Sequence, residues 1–194
     1  MTSFDLGRFD PPLTLPTLEC GPVVLRPFGP VDLGLVRQAS MDPYIPLITS
    51  VTPESSEAEA MAFIERQQTR ADEGHGYSLV IASTDSPERG IGSVGLWLRD
   101  IENGRATAGY WLIPEARGSR LAGWALRGLA AFAFDDLAIP RLQLYIEPWN
   151  VSSVHTAEFA GFTFEAHLRG WERIDGAQHD ADCFSLLRDD WTPP

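Results

Sequence analysis

The chain has 194 residues, 44% of them hydrophobic, enough to bury one substantial core and to make a single domain the default. Its 15 basic against 27 acidic residues leave a net charge of -12, which argues against a nucleic-acid partner because phosphate backbones call for clustered Lys and Arg. No apolar run approaches the ~20 residues that span a bilayer, and the start of the chain lacks the basic-then-apolar pattern of a signal peptide, so no membrane is expected and the expected compartment is the cytoplasm.

In chain order, residues 1–22 are rich in proline and read as an N-terminal arm, and residues 23–194 as one domain. A strand over residues 23–26 and a short helix over 31–40 precede a loop-like stretch, residues 43–55. Ala58, Met61, Ala62 and Ile64 recur at helical spacing within Glu57–Asp72. Residues 77–82 and 91–98 are strands separated by a turn over 84–90, and residues 106–113 form a further strand leading to a helix over 119–137. Leu142, Leu144 and Ile146 alternate with Gln143, Tyr145 and Glu147 as in a half-buried strand, and Phe162, Phe164, Ala166 and Leu168 repeat that pattern. Strands alternating with helices, without repeats or interior linkers, give the class mixed α/β. Cys20 and Cys183 stand in separate segments without metal-ligand spacing, so free thiols and no metal site are expected.

The most specific segment is Tyr110-Trp111-Leu112-Ile113-Pro114-Glu115-Ala116-Arg117-Gly118-Ser119-Arg120-Leu121-Ala122-Gly123, an apolar strand entering a helix through an Arg/Gly loop. Such a helix start directs unpaired backbone N–H groups at one point, where the helix dipole adds positive potential: a site for a phosphate. An ordinary strand-to-helix turn, with Gly118 for backbone freedom and Ser119 as N-cap, is the simpler explanation of the loop taken alone. Gly123 and Gly128 add weight, since each costs roughly 1 kcal/mol relative to alanine inside a helix and implies that a strand or a cofactor comes close.

With these residues in place, the chain resembles the GNAT superfamily of acetyl-CoA-dependent N-acetyltransferases, in its RimJ/RimL-like branch. The family's cofactor motif, Gln or Arg, two residues, Gly, one residue, Gly or Ala, falls on Arg117-Gly118-Ser119-Arg120-Leu121-Ala122, with Arg120 where the central glycine usually sits. The resemblance continues through Leu25-Arg26-Pro27, Glu102-Asn103-Gly104 with Gly109-Tyr110-Trp111-Leu112, Asn150-Val151-Ser152-Ser153 with Gly161-Phe162, and the final hairpin from Asp175-Gly176 to Phe184-Ser185-Leu186-Leu187.

The resemblance implies a central mixed, mostly antiparallel sheet with helices on both faces, splayed at the cofactor strand. It further implies that backbone groups of Tyr110, Trp111 and Leu112 pair with the pantetheine arm of acetyl-CoA, and that Arg117, Gly118, Ser119, Arg120, Leu121, Ala122 and Gly123 wrap its pyrophosphate. Asn150 is fully explained as a helix N-cap, to which the resemblance adds a cofactor contact. Ser153 is implied as the proton donor to the leaving thiolate; a helix-start serine bonded to its own backbone is the structural alternative. Ala157 occupies the position where many members carry a tyrosine.

For the general base, Asp100 and Glu102 are the candidates by position, with Glu115, His155 and His179 also in view. The implied activity is direct acetyl transfer to a primary amine, on a protein N-terminus or a small molecule, and the acidic surface suits a protonated amine. The other reading is a non-catalytic acyl-CoA-binding sensor or scaffold, and a homodimer stays open. Residues 41–50 and 171–182 are expected to line the acceptor side.

Overall fold

Local sequence explains most element starts. The helix Glu57–Asp72 begins with a reciprocal capping box, in which Ser56 Oγ accepts from the Glu59 N–H and the Glu59 carboxylate accepts from the Ser56 N–H, reinforced by Glu57 and Glu59 at the positive end of the helix dipole. Helix Val151–Phe159 is capped by Asn150, whose side-chain oxygen accepts from the Ser153 N–H at 3.1 Å, and it is followed by Gly161 at φ +95°.

The computed structural model describes residues 5–193, so the first four residues of the expected arm and the last residue of the expected domain lie outside the described residues. Its strands are β1 (Leu18–Cys20), β2 (Val23–Pro27), β3 (Gly76–Ser83), β4 (Ser86–Trp97), β5 (Arg105–Leu112), β6 (Arg141–Ile146), β7 (Thr163–Ile174) and β8 (Ala177–Leu187). Its helices are α1 (Leu33–Ala39), α2 (Ile45–Ile48), α3 (Glu57–Asp72), α4 (Leu121–Ala131) and α5 (Val151–Phe159). The eight strands form one sheet in the order β1-β2-β3-β4-β5-β6-β8-β7. Every neighbouring pair is antiparallel except β5 and β6.

Alternation along the strands sends side chains to two cores. Leu79, Ile81, Val94, Leu96, Ala106, Ala108, Leu142 and Leu144 meet α4 on one face. Val80 and Trp111 meet Val36, Phe63 and Ile64 from α1 and α3 on the other. Helices thus cover both faces, as the mixed α/β reading requires. Among the described residues no helix is long and apolar enough to cross a membrane.

Several boundaries differ from the sequence expectation for definable reasons. The helix expected from residue 119 begins at Leu121, because Ser119 does not cap it: its hydroxyl donates to the Ala116 carbonyl at 2.6 Å, and Arg120 is the N-cap residue with a left-handed backbone, φ +61°. The helix leaves regular α geometry after Ala131 and ends in a π turn over Phe132–Asp136. The loop-like stretch 43–55 contains α2, whose start is fixed by the Asp42 carboxylate accepting from the N–H groups of Tyr44 and Ile45. Within residues 1–22, β1 pairs with β2, and Phe9 and Leu13 are buried in the larger core.

The two glycines of α4 do mark close approaches, but of protein. A Cβ at Gly123 would collide with the ring of Phe159 on α5, and one at Gly128 would stand 3.0 Å from the Cβ of Cys20 on β1.

Candidate functional site

β5 and β6 run parallel yet pair only through Arg105–Arg141, Ala106–Leu142 and Thr107–Gln143. Beyond that point β5 stays with β4 out to Leu112, while β6 stays with β8 out to Ile146. The sheet therefore opens as a V, and the β6-facing backbone of residues 108–112 is left as a free strand edge of the kind that accepts an extended, amide-bearing ligand. One group there is taken: the Leu112 carbonyl accepts from Arg117 Nε at 3.1 Å. The V belongs to a cleft of about 1970 Å³ that reaches both faces of the sheet, room for two substrates meeting in the gap.

At the open end of β5 the chain turns into α4. Among the described residues no side chain caps this helix, and no acceptor takes the backbone N–H groups from Gly118 to Gly123. Gly118 (φ +77°) and Arg120 (φ +61°) both adopt left-handed backbone, and a Cβ at Gly118 would meet nothing within 4 Å. A run of exposed N–H donors at a positive helix end fits a pyrophosphate. Arg120 keeps the backbone that a glycine would supply while its guanidinium rests 6.0 Å above the Phe159 ring. Arg117 does something different: it forms an ion pair with the buried Asp42 at 2.6 Å, tying this loop to the start of α2. Burial alone would raise the Asp42 pKa, but the N–H groups of Ile45 and Tyr44 together with Arg117 outweigh it and hold the carboxyl below its usual range.

The middle of the cleft holds a connected set of polar side chains. Tyr110, on the α4 face of β5, brings its phenol to 2.7 Å from Ser153 Oγ on α5. Burial keeps the phenol protonated by raising its pKa, against the opposing hydrogen bonds of Ser153 and Thr156. Asn150 Oδ1 accepts from the Ser153 N–H, and the Asn150 side-chain amide hydrogen-bonds the Tyr44 phenol. Tyr44 donates to the buried Glu147, whose other oxygen accepts from His179 Nδ1 at 2.7 Å. Glu147 is buried, which favours its neutral form, yet hydrogen bonds from Tyr44, Trp149 and His179 prevail and keep it ionised. Tyr44 moves the other way, its pKa pushed up by burial and by the Glu147 charge.

Of the residues singled out from sequence, Tyr110, Trp111, Leu112, Arg117, Gly118, Arg120, Ala122, Gly123, Asn150 and Ser153 all line this cleft. Ser119 and Leu121 belong to the same loop and helix start without lining it. Asp100 lines the closed end of the V and pairs with Arg105 at 3.3 Å, whereas Glu102 is exposed outside the lining. Glu115 accepts from Gln38 on α1 at 2.7 Å, and His155 lines the cleft on α5. Ala157 is fully buried in the core, so no hydroxyl comes from its position; the phenol beside Ser153 comes from β5. Sequence reading missed the side chains of Tyr44, Tyr110 and Glu147. Glu147 looked like one more polar position in the alternation of β6, and only the register of that strand reveals that it faces the cleft.

The family model for the acetyltransferase (GNAT) domain matches residues 23–163. The Bacillus licheniformis protein named uncharacterized N-acetyltransferase p20 is 29% identical over 174 residues, covering 89% of this chain and 96% of that protein. Among solved structures, Mycobacterium smegmatis RimJ in complex with CoA-disulfide superposes with a TM-score of 0.76 at 21% identity, covering 92% of this chain and 89% of its own. RimL, the ribosomal L7/L12 alpha-N-protein acetyltransferase in complex with coenzyme A, gives 0.75 at 17%, covering 91% and 100%. At such identities these two structures bear on the fold, while the family model spans most of the chain. The chain belongs to the GNAT acetyltransferase family and is an acyltransferase whose co-substrate is acetyl-CoA.

Proposed function

We propose that the protein transfers the acetyl group of acetyl-CoA directly to a primary amine, carried by a protein N-terminus or a small molecule. The observation that carries this reading is the juxtaposition, in one cleft, of the free β5 edge, the uncapped α4 start and the Tyr110–Ser153 pair at 2.7 Å. RimL's name places its chemistry on a protein N-terminus, and the shared fold makes that one of the two acceptor types to test.

In this reading the N–H groups of residues 118–123 hold the pyrophosphate, and the free edge at Tyr110, Trp111 and Leu112 aligns the pantetheine amides, fixing the thioester within the V. Ser153 donates a proton to the departing sulfur and is reprotonated through Tyr110, which burial holds in its protonated form and which takes a proton from solvent in the same relay, the amine giving its own proton to solvent. The amine must shed a proton to attack. Glu147, ionised and joined through Tyr44 and Asn150 to Ser153, lies in the cleft nearer that pair than Asp100 at the closed end of the V, and Glu102 lies outside the cleft, so Glu147 is the carboxylate placed to attract the ammonium. The proton lost by nitrogen balances the one gained by sulfur, so the products are an amide and a free thiol.

The test is acetyl-CoA-dependent thiol release across a panel of amines and short peptides. Absence of release with every acceptor would overturn the reading. With an active acceptor in hand, Ser153→Ala is expected to lower kcat by roughly ten- to a hundredfold while calorimetric affinity for acetyl-CoA is retained. Wild-type turnover in folded Ser153→Ala would remove the serine as proton donor.

A further inference from the structure

On the α3 face of the sheet the cleft continues away from the pyrophosphate loop. Trp97, Thr107, Trp111, Gln143 and Tyr145 line it there, and Trp171 stacks on Tyr145 at 4.9 Å. Arg66 and Arg70 of α3 also line this half. Four residues apart, they project from the same helix face. Both turn to Ser50: Arg66 Nη2 donates to its carbonyl at 3.0 Å, and Arg70 Nη2 approaches its hydroxyl at 3.5 Å. Among the described residues no carboxylate lies within 4.0 Å of either guanidinium.

This pairing runs against the composition of the chain. Acidic residues outnumber basic ones 27 to 15, yet two cations share one wall with only neutral acceptors. Like charges four residues apart destabilise a helix, and burial plus the Arg66 charge lower the Arg70 pKa. Each guanidinium carries five N–H donors in a fork suited to a carboxylate or phosphate, and Ser50 occupies only one on each. The opposite end of the cleft is acidic: Glu147 lies by Tyr44, and Glu172 and Asp180 line the wall formed by β7 and β8. Tyr44 and Ser50 bracket α2, whose four residues rise 1.5 Å each, so with the flanking residues the acidic and basic ends stand on the order of 10 Å apart.

We infer that the acceptor is dipolar: its amine sits at the Glu147 end, and a carboxylate or phosphate on the order of 10 Å away is bound by Arg66 and Arg70. This rests on the acetyl-transfer reading above and adds the class of acceptor. Ser50 touches both arginines, Phe63 lies 5.8 Å below the Arg66 guanidinium, and Glu73, three residues beyond Arg70, lines the cleft near them without pairing with either. A bound anion therefore has no carboxylate to displace from either guanidinium among the described residues.

The test uses four probes matched in length: 8-aminooctanoate, 8-aminooctyl phosphate, 8-aminooctanamide and octylamine. Binding is read by calorimetry with coenzyme A present, so that no turnover occurs, and KM is read by thiol release with acetyl-CoA. In the wild type the better of the two anionic probes is expected to have Kd and KM roughly ten- to a hundredfold below those of the amide and octylamine, the range for a charge-assisted contact. Whichever anion wins identifies carboxylate or phosphate as the recognised group. In Arg66→Gln/Arg70→Gln that ratio should fall to within about twofold, whereas Arg89→Gln, at an exposed arginine outside the cleft, should preserve it. If the double variant fails to fold, Arg66→Gln alone, at an exposed position, should still reduce the ratio severalfold. Equal Kd for charged and neutral probes in the wild type, no binding of either anion, or an intact ratio in the arginine variants would overturn the inference. Thiol release without anion preference would leave acetyl transfer standing; anion-selective binding without release from any amine would count against acetyl transfer alone.

Discussion

Replacing Gly123 by alanine asks what the glycine of α4 makes room for. A methyl group there would fall well inside contact with Phe159 Cδ1 and stand 3.1 Å from Cε1 and 3.3 Å from Cγ. The ring has little freedom to retreat, because it packs edge-on against Trp124 at 5.7 Å and lies under the Arg120 guanidinium. Overpacking of this kind costs about 1–3 kcal/mol, against a gain of about 1 kcal/mol in helix propensity, so the net loss should be up to about 2 kcal/mol. For a chain of this size each kcal/mol moves Tm by about 2–4 °C. Gly128→Ala is the internal control: it brings the same propensity gain in the same helix, but its nearest contacts, Cys20 Cβ at 3.0 Å and Leu25 Cδ1 at 3.4 Å, call for a shift of only a few tenths of an ångström. Thermal and urea unfolding of both variants, and of Gly123→Ala/Phe159→Leu, should show Gly128→Ala near wild type, Gly123→Ala lower, and the double variant more stable than the sum of its single changes by about 1 kcal/mol. Equal stability of the two alanine variants, or simple additivity, would refute the steric argument.

Two further outcomes are expected. Gly118→Val should raise the calorimetric Kd for acetyl-CoA about tenfold or more, because a β-branched residue at φ +77° pays roughly 1–2 kcal/mol and relaxes by turning the loop N–H groups away; Gly118→Asn, which tolerates that backbone, should do so less, and equal Kd values in the two would argue against the loop as the pyrophosphate site. Asp42→Asn should lower stability at pH 7 by about 1–2 kcal/mol through the lost charge-assisted bond to Arg117. The folded-state pKa of Asp42 is depressed, so its contribution is fully present above the ordinary value of 3.8 and disappears as pH falls through the lower folded value. Urea midpoints should therefore differ at pH 7 and converge only below about pH 4; a gap that does not narrow between pH 7 and the lowest pH at which both proteins stay folded would contradict the assignment.

The parts of the site legible in the sequence are those in which a few consecutive residues fix the geometry. The strand, loop and helix from Tyr110 to Gly123 could be read because an N-terminal helix end is a local structure, and Asn150 could be read as a cap for the same reason. Even there the N-cap alternative for Ser119 does not form, since its hydroxyl had two backbone partners within reach and the carbonyl of Ala116 won over the helix N–H groups. The glycines of α4 signalled that something approaches closely, but an absent Cβ specifies a distance and says nothing of what fills it; here it is Phe159 and Cys20.

The chemical half of the cleft depends on pairings that no local pattern encodes. Tyr110 reaches Ser153 across 43 positions of sequence, and Tyr44 reaches Glu147 across 103. Both meetings follow from one topological fact, the parallel step from β5 to β6 that stops at Thr107 and Gln143. Because β6 diverges there while keeping its alternation, Leu144 and Ile146 remain in the core and Tyr145 and Glu147 turn to the cleft. A carboxylate at that position would be an ordinary solvated residue on an edge strand. In the opened V it is buried and held ionised by Tyr44, Trp149 and His179, so in the proposed reading the same break in pairing that frees the β5 backbone for acetyl-CoA also gives the chain a place to draw in an amine.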